Sequence, residues 1–399
     1  MSESKLFVLE LEKNATFTRV LRELKLPVLS HSSNNMLDVW YEKIQESFKE
    51  YETKKKDILK TLTKETTLKK CSEFHIIPQP LIEVIDRVCV NNYSFSIQLP
   101  TFKSGAFRKF NIHICAPTHY TMVRIKKMIR LISMWFLFVN VFVDNGCSNE
   151  VDIYLYLIPN KKTLPDNNVI IDTEHVNTAF TTSCALKTNV HIFREEEWFR
   201  ALIHESFHNL GLDFISMGDV QIKTEERRVN EAFHTSILDI RLYETYCEMW
   251  AEVINLLFYV FMNMSDNRRW KGVFFRLLKY EQAFSVLQCV KLLEHNRMSY
   301  DTIDHRFKEM TPSFSYYILK CILSVHLDQF LHFCSTQFGE DEYSLQFRKT
   351  IPNLKKYTSM IINNHQSTKM KATIKMMENI KLTQSGLKNT LRMSLFEIM

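Results

Sequence analysis

Apolar positions recur along this chain with two different periods, and the switch between them sets the expected architecture. Tyr93-Ser94-Phe95-Ser96-Ile97 and Asn111-Ile112-His113-Ile114 alternate, which puts every second side chain on one face, as in a half-buried strand. The pattern predicts strands over Tyr93–Leu99, Phe110–Cys115 and Val151–Ile158, with a helix over about Thr118–Val143 between the last two. That helix carries Arg124, Lys126, Lys127 and Arg130 in its first half and is almost wholly apolar in its second. A β-branched and aromatic run, Asn189–Phe193, leads directly into a helix-spaced stretch over 195–210. From there the period is helical: about 230–264, 270–297, 311–337 and 343–364, with weaker segments to 399. A helical pattern with a charged outer face also runs from Met36 to about Lys70. Strands first and helices afterwards indicate an α+β fold, with a small mixed sheet plus helices followed by a mostly helical C-terminal lobe. In chain order the expected division is 1–88, an N-terminal helical cap; 89–265, the core; 266–366, a helical C-terminal lobe; and 367–399, a Met- and Lys-rich tail.

Composition removes several classes of function. Seven glycines among 399 residues, with no G-x-G-x-x-G and no Walker-type lysine loop, argue against a phosphate cradle. The net charge of +6 is spread along the chain as a solvated surface, so nucleic acid is not an expected partner. The longest apolar runs, Leu131–Val143 and Val253–Met264, are too short to span a bilayer, and the N-terminus lacks a signal-peptide pattern. The nine cysteines (Cys71, Cys89, Cys115, Cys147, Cys184, Cys247, Cys289, Cys321 and Cys334) are odd in number and have no CxxC spacing. Reduced thiols in a cytoplasmic compartment are expected from them.

Candidate chemistry concentrates at His204-Glu205-Ser206-Phe207-His208. Two histidines four apart lie on one helical face, where both imidazoles can hold one metal while the glutamate reaches its open side. Glu195, Glu196 and Glu197 are expected in the first helical turn, where negative charge suits the dipole. Gly211 falls just past the last turn, where a left-handed cap is wanted. A catalytic zinc needs a third protein ligand. In the HExxHxxGxxH arrangement that position is Phe214, which cannot coordinate, and Asp213 is one residue out of place. The helix expected over 230–264 is the better source. His234, Arg241, Glu244, Glu248, Glu252 and Asn255 fall within about 40° of one line on an otherwise apolar wheel. Buried charges of this kind need partners or a metal.

HESFH followed by ETYCEMWAE over 244–252 resembles the gluzincin, thermolysin-like branch of zincin metallopeptidases. The resemblance covers roughly 90–265 and implies a zincin-like N-terminal lobe and a Zn2+ cofactor. It implies Glu248 as third ligand and Glu252 as the acid that orients a ligand histidine. Glu244 fits one turn earlier, with Glu248 preferred because Ala251 permits closer helix approach than Cys247. The implied reaction is peptide-bond hydrolysis of a peptide or protein substrate, with Glu205 as general base. An oxyanion helper is sought among His234, Arg241, Tyr243 and Tyr246. Asn189, His191 and Phe193 are the expected substrate-binding residues, on an edge strand that an extended peptide would join. The Asn-, Lys- and Ile-rich, Gly-poor wording also looks like zincin-like proteins of large DNA viruses, which implies host cytoplasm or virion. The alternative is a catalytically inactive zincin-fold structural or interaction protein, such as a virion or assembly component, with the C-terminal third available to a protein partner.

Overall fold

Alternating stretches become strands and 3.6-period stretches become helices in the computed structural model, which describes residues 3–24, 28–101, 106–143, 146–339, 342–383 and 385–398. Helices α1 (Glu3–Lys13), α2 (Ala15–Glu23) and α3 (His31–Lys60) open the chain; Asn14 caps the second by accepting from the Phe17 N–H. A short strand, β1 (Thr63–Glu65), is followed by a 3-10 turn at Ser72–Ile76 and by α4 (Gln79–Val88). The antiparallel pair β2 (Asn91–Pro100) and β3 (Phe107–Ala116) leads to α5 (Met122–Val139), capped by Thr121, and then to β4 (Glu150–Tyr156). After the single turn α6 (Thr173–Val176) come β5 (Ala179–Thr181), β6 (Lys187–Ile192) and α7 (Trp198–Asn209). Among the described residues only helices and turns follow: α8 (Asp219–Phe233), α9 (Leu242–Asn263), α10 (Trp270–His295), α11 (Lys320–Val325), α12 (Leu327–Ser335), α13 (Ile351–His365), α14 (Thr368–Met377) and α15 (Ser385–Asn389). This is the expected α+β class. Among the described residues no helix is long and apolar enough to cross a membrane.

The sheet order is β1-β2-β3-β4-β6-β5, with β3, β4 and β6 parallel to their neighbours in that run and the outer pairs antiparallel. Register puts Phe110, Val151 and Thr188 side by side, then Ile112, Ile153 and Val190, then Ile114, Leu155 and Ile192. Side chains alternate along a strand, so these residues form one face. Phe136 of α5 stacks on Phe110 of that face at 4.1 Å. Thr188 reaches Asn209 of α7 (Oγ1 to Oδ1, 3.3 Å), which places α7 there too. Burying each of these aliphatic and aromatic side chains contributes about 1.5–3 kcal/mol. The opposite face carries His113, Tyr154, Tyr156, His191 and Phe193; α4 and the Ser72–Ile76 turn cover part of it, with Phe74, Ile77, Leu81 and Ile85 packed on Tyr156 and Phe193.

Two compact units interleave along the chain. The sheet unit comprises Asp38–Lys161, Asn177–Ile215 and Ile398–Met399, and the helical unit comprises Met1–Leu37, Lys162–Val176 and Ser216–Glu397. The contiguous division at 88, 265 and 366 is therefore not how the units run: residues 89–265 are shared between them. Nor is 367–399 a tail. Leu387, Leu391 and Leu395 are fully buried in the helical unit. Ser394 Oγ and the Leu395 and Phe396 N–H groups donate to Glu281 at 2.7–3.1 Å. Of these leucines only Leu387 lies in α15, and Leu391 and Leu395 follow it in irregular chain, so no single period marks their burial.

The expectation of nine reduced thiols fails at one pair. Cys147 and Cys184 form a disulfide, with Cα atoms 4.8 Å apart, and the other seven cysteines are free. The two segments meet because Ser148 N donates to Ala185 O (2.6 Å) and Glu150 N to Leu186 O (3.1 Å), just where β4 starts beside β6. That pairing joins positions 37 apart in sequence and has no linear motif.

Candidate metal centre

The helix α7 is anchored at both ends inside the sheet unit. Its start differs from expectation: Glu195, Glu196 and Glu197 precede the helix, and Glu197 holds the N-cap in the left-handed region (φ 57°). The acids serve other partners there, since Glu195 accepts from Arg124 at 2.5 Å. In the middle, Trp135 Nε1 donates to Ser206 Oγ (2.9 Å), and Ser206 Oγ donates to Leu202 O (2.6 Å). At the far end Ser148 Oγ donates to Asn209 O (2.6 Å), and Asn209 Nδ2 donates to Thr181 Oγ1 (3.1 Å) and to Thr182 O (3.2 Å). All twelve residues of α7 are buried, so the histidines do not sit on an open helical face.

Gly211 ends the helix as expected, at φ 68°. Leu212 N donates to Phe207 O (2.8 Å) and Gly211 N to His208 O (3.2 Å), which satisfies carbonyls of the last turn. A Cβ at this position would lie 2.8 Å from Cys147 Sγ, so glycine is required for space as well as for conformation. The turn brings Asp213 back under the helix.

Asp213, fully buried, accepts from His208 Nδ1 at 2.5 Å. With the proton fixed on Nδ1, the lone pair of His208 is on Nε2, and that atom faces His204 Nε2 at 3.1 Å. The rings are 4.9 Å apart and inclined at 71°. Two imidazole nitrogens each about 2.0–2.1 Å from a tetrahedral zinc lie about 3.4 Å apart, so this pair fits such an ion with little movement. Asp213 is thus the carboxylate behind His208, a place that the resemblance assigns to Glu252. Its signal was present as an acid two residues past a left-handed glycine, which turns the chain back toward the second histidine.

The acidic residues expected to complete the site lie on α9, in the helical unit. Glu244, Glu248 and Glu252 are all buried, at 7, 3 and 1 % exposure. Glu252 is committed elsewhere: it forms an ion pair with Lys320 Nζ and accepts from Ser324 Oγ at 3.2 Å. The helix expected over 230–264 is broken. His234 ends α8 in the left-handed region (φ 55°) and is exposed, and Arg241 caps α9, so neither shares the glutamate stripe. Asn230 closes the break, accepting from Thr235 Oγ1 (2.7 Å) and the Ile237 N–H (3.0 Å). Arg241 binds Asp239 at 2.6 Å and approaches Glu244 at 3.6 Å. Tyr246 is a core residue, with its hydroxyl donating to Leu345 O (3.0 Å) and its ring edge-on to Trp250 and Tyr357. Tyr243 is half-buried near the start of α9.

The expected edge strand is also corrected. β6 lies between β4 and β5, with Phe180 opposite His191. His191 and Phe193 are buried, and the Asn189 carbonyl accepts from Thr181 Oγ1 (2.6 Å) and Thr182 N (3.2 Å). These residues have no free edge to offer a peptide. Only three residues of β5 cover that edge, too few to show a period in sequence.

No family model, curated protein or solved structure matches the chain.

Proposed function

We propose that the chain is a zinc-dependent metallopeptidase in which His204 Nε2 and His208 Nε2 hold the ion, with Glu248 or Glu244 as the third-ligand carboxylate that the sequence resemblance implies. The observation that carries this reading is the pair of Nε2 atoms 3.1 Å apart, with the tautomer of one set by Asp213. The donor set suits zinc: neutral imidazoles and an ionised carboxylate, with one position left over. A divalent ion there would act as a Lewis acid toward water and a scissile carbonyl. Glu205 adjoins His204 on α7 and is the carboxylate to take a proton from the attacking water and deliver it to the leaving amine. Asp213 keeps His208 oriented through that transfer and holds its Nδ1 proton. Substrate docking along β6 forms no part of the proposal, because β5 occupies that edge.

The test compares Glu205→Gln, His208→Ala, Glu244→Ala and Glu248→Ala with the native chain for zinc content and cleavage of a mixed peptide library. Glu205→Gln should retain zinc and lose hydrolysis by about 100-fold or more. His208→Ala should lose one equivalent of zinc, and the glutamate variant with the larger loss of affinity identifies the third ligand. Full activity in Glu205→Gln, or undiminished zinc in His208→Ala, would overturn the proposal. A second reading, a metal-holding interaction module without hydrolysis, draws on the burial of His204, Glu205 and His208 at 6, 8 and 6 % exposure. Zinc held firmly by a native chain that cleaves no peptide would select it.

A further inference from the structure

On the face of the sheet away from α7, four rings stack across four strands. His113 of β3, Tyr154 of β4, His191 of β6 and Phe180 of β5 are in register, with successive centroids 5.0, 4.9 and 4.6 Å apart. His191 is fully buried in this row, with its plane within 13° of both neighbours, so only its ring edge can make polar contacts. Nδ1 has no hydrogen-bond partner among the described residues. Among the described residues Nε2 meets Cys71 Sγ, at 3.2 Å, and Cys71 Sγ in turn donates to Glu73 Oε2 at 3.0 Å.

The segment that brings the thiol and the carboxylate is held on both sides. Tyr156 Oη donates to Lys69 O (3.0 Å), and Phe74 packs edge-on against the Tyr156 ring at 5.1 Å. Cys71 and Glu73 are only half-buried, so the cluster opens to solvent opposite the histidine.

We infer that Cys71, Glu73 and His191 form a second cation site, for a zinc-class divalent ion, with solvent completing the coordination. Sγ, one carboxylate oxygen and one imidazole nitrogen lie within 4.8 Å of one another, a span that a small reorientation closes around one ion. The donors are the thiolate, imidazole and carboxylate that select zinc and its softer neighbours over calcium or magnesium. Charge balances as well, since thiolate and carboxylate offset a dication beside a neutral imidazole. Only the thiol must change. Its S–H proton now joins Sγ to Glu73; on binding, the S–H bond breaks, an S–metal bond forms from the same electron pair, and the proton leaves to solvent. The ion would also give the buried imidazole a strong partner in place of a thiol, which is a weak one.

The full chain, freed of metal by chelator and kept anaerobic, is titrated with cobalt(II) as the probe. A thiolate-to-cobalt charge-transfer band in the near ultraviolet should rise and saturate by two equivalents per chain, since the His204–His208 pair competes for the ion, and by one in His208→Ala. Cys71→Ser should abolish the band, and Glu73→Gln should weaken the affinity by about tenfold or more. His208→Ala should leave the saturated band unchanged, since the ligands inferred here are Cys71, Glu73 and His191, and a band lost in that variant would overturn the inference; failure of the peptidase proposal therefore leaves this one standing, and the reverse. A native chain without the band, or a Cys71→Ser chain that keeps it, would overturn the inference. Glu73→Gln alters a half-buried side chain on a turn, so it decides the matter if Cys71→Ser misfolds: undiminished affinity there would also overturn it.

Discussion

The two faces of the sheet are built on different principles. The face under α5 and α7 is apolar in three register rows but for Thr188, and Ser148, Thr188 and Asn209 above it are held in a connected set of hydrogen bonds. The other face is a row of stacked polar and aromatic rings only partly covered. Beside it lies a cleft of ≈ 390 Å³ lined by residues including Thr63, Glu65, Lys69, Ser94, His113 and Asp152. The first face fixes its histidines through the backbone of one helix and a carboxylate five residues on. The second fixes His191 by stacking and register, and gives it partners from a segment 120 residues earlier. Rigid packing and a local motif thus make one site, while cross-strand geometry makes the other.

The sharpest way to break this contrast is to cut the covalent link that exists on one side only. The Cys147–Cys184 disulfide joins the start of β4 to the β5–β6 connection, where Gly211 passes. Loop closure over a separation of 37 residues is worth about 3–4 kcal/mol. The Cys147→Ser/Cys184→Ser double variant should lower the unfolding free energy from urea titration by that amount, and thiol titration of the denatured native chain should count seven groups where nine cysteines exist. A count of nine would remove the staple from the account.

A smaller perturbation tests whether the faces act independently. Asp213 accepts from His208 Nδ1 with one oxygen and from the Ile215 N–H with the other (3.3 Å). An amide has a single carbonyl oxygen for those two donors, so Asp213→Asn must leave one facing an N–H. Zinc affinity at the histidine pair should fall by about 10- to 100-fold, while the cobalt band that depends on Cys71 stays put. Movement of both signals would mean that the sheet couples the sites.

These differences also explain what could be read from the sequence. Strands β2, β3, β4 and β6 and helices α5 and α7 follow from periodicity because each buries a continuous face. The HExxH pair and Gly211 followed because helix geometry links their spacing to their position. The break at His234 escaped because apolar spacing runs on through Ile237 and Leu238 while the backbone leaves the helix; Leu238 ends 95 % exposed. Glu252 was misread because its partner, Lys320, sits on a helix 68 residues away. Cys71 and Glu73 carried no signal at all, since only the register of β6 against β4 and β5 determines which face His191 takes.

The smallest expected effect concerns the open face and its response to acid. His113 Nδ1 bonds Ser94 Oγ at 2.9 Å, and its ring stacks on Tyr154. Burial, aided by the Lys69 charge, lowers its pKa from 6.5 to about 4, against the opposing pull of Asp152 and Glu65. In the window between those values the unfolded chain binds a proton that the folded chain refuses. The contribution of His113 to stability is therefore complete above about pH 6.5, falls as the pH drops toward 4, and changes no further below that. Because the ring is partly exposed, the loss is on the order of 1 kcal/mol. His113→Phe keeps the stacked ring and removes the titration. In chelator, its urea midpoint should decline less than that of the native chain between neutral pH and about pH 4.5. His191 and His326, also held at about 4, and His365, likewise lowered by burial, contribute to the decline that remains. An identical decline in both chains would mean that the acid response belongs to groups other than His113, and that the outer end of the ring row is as indifferent to protonation as the apolar face behind it.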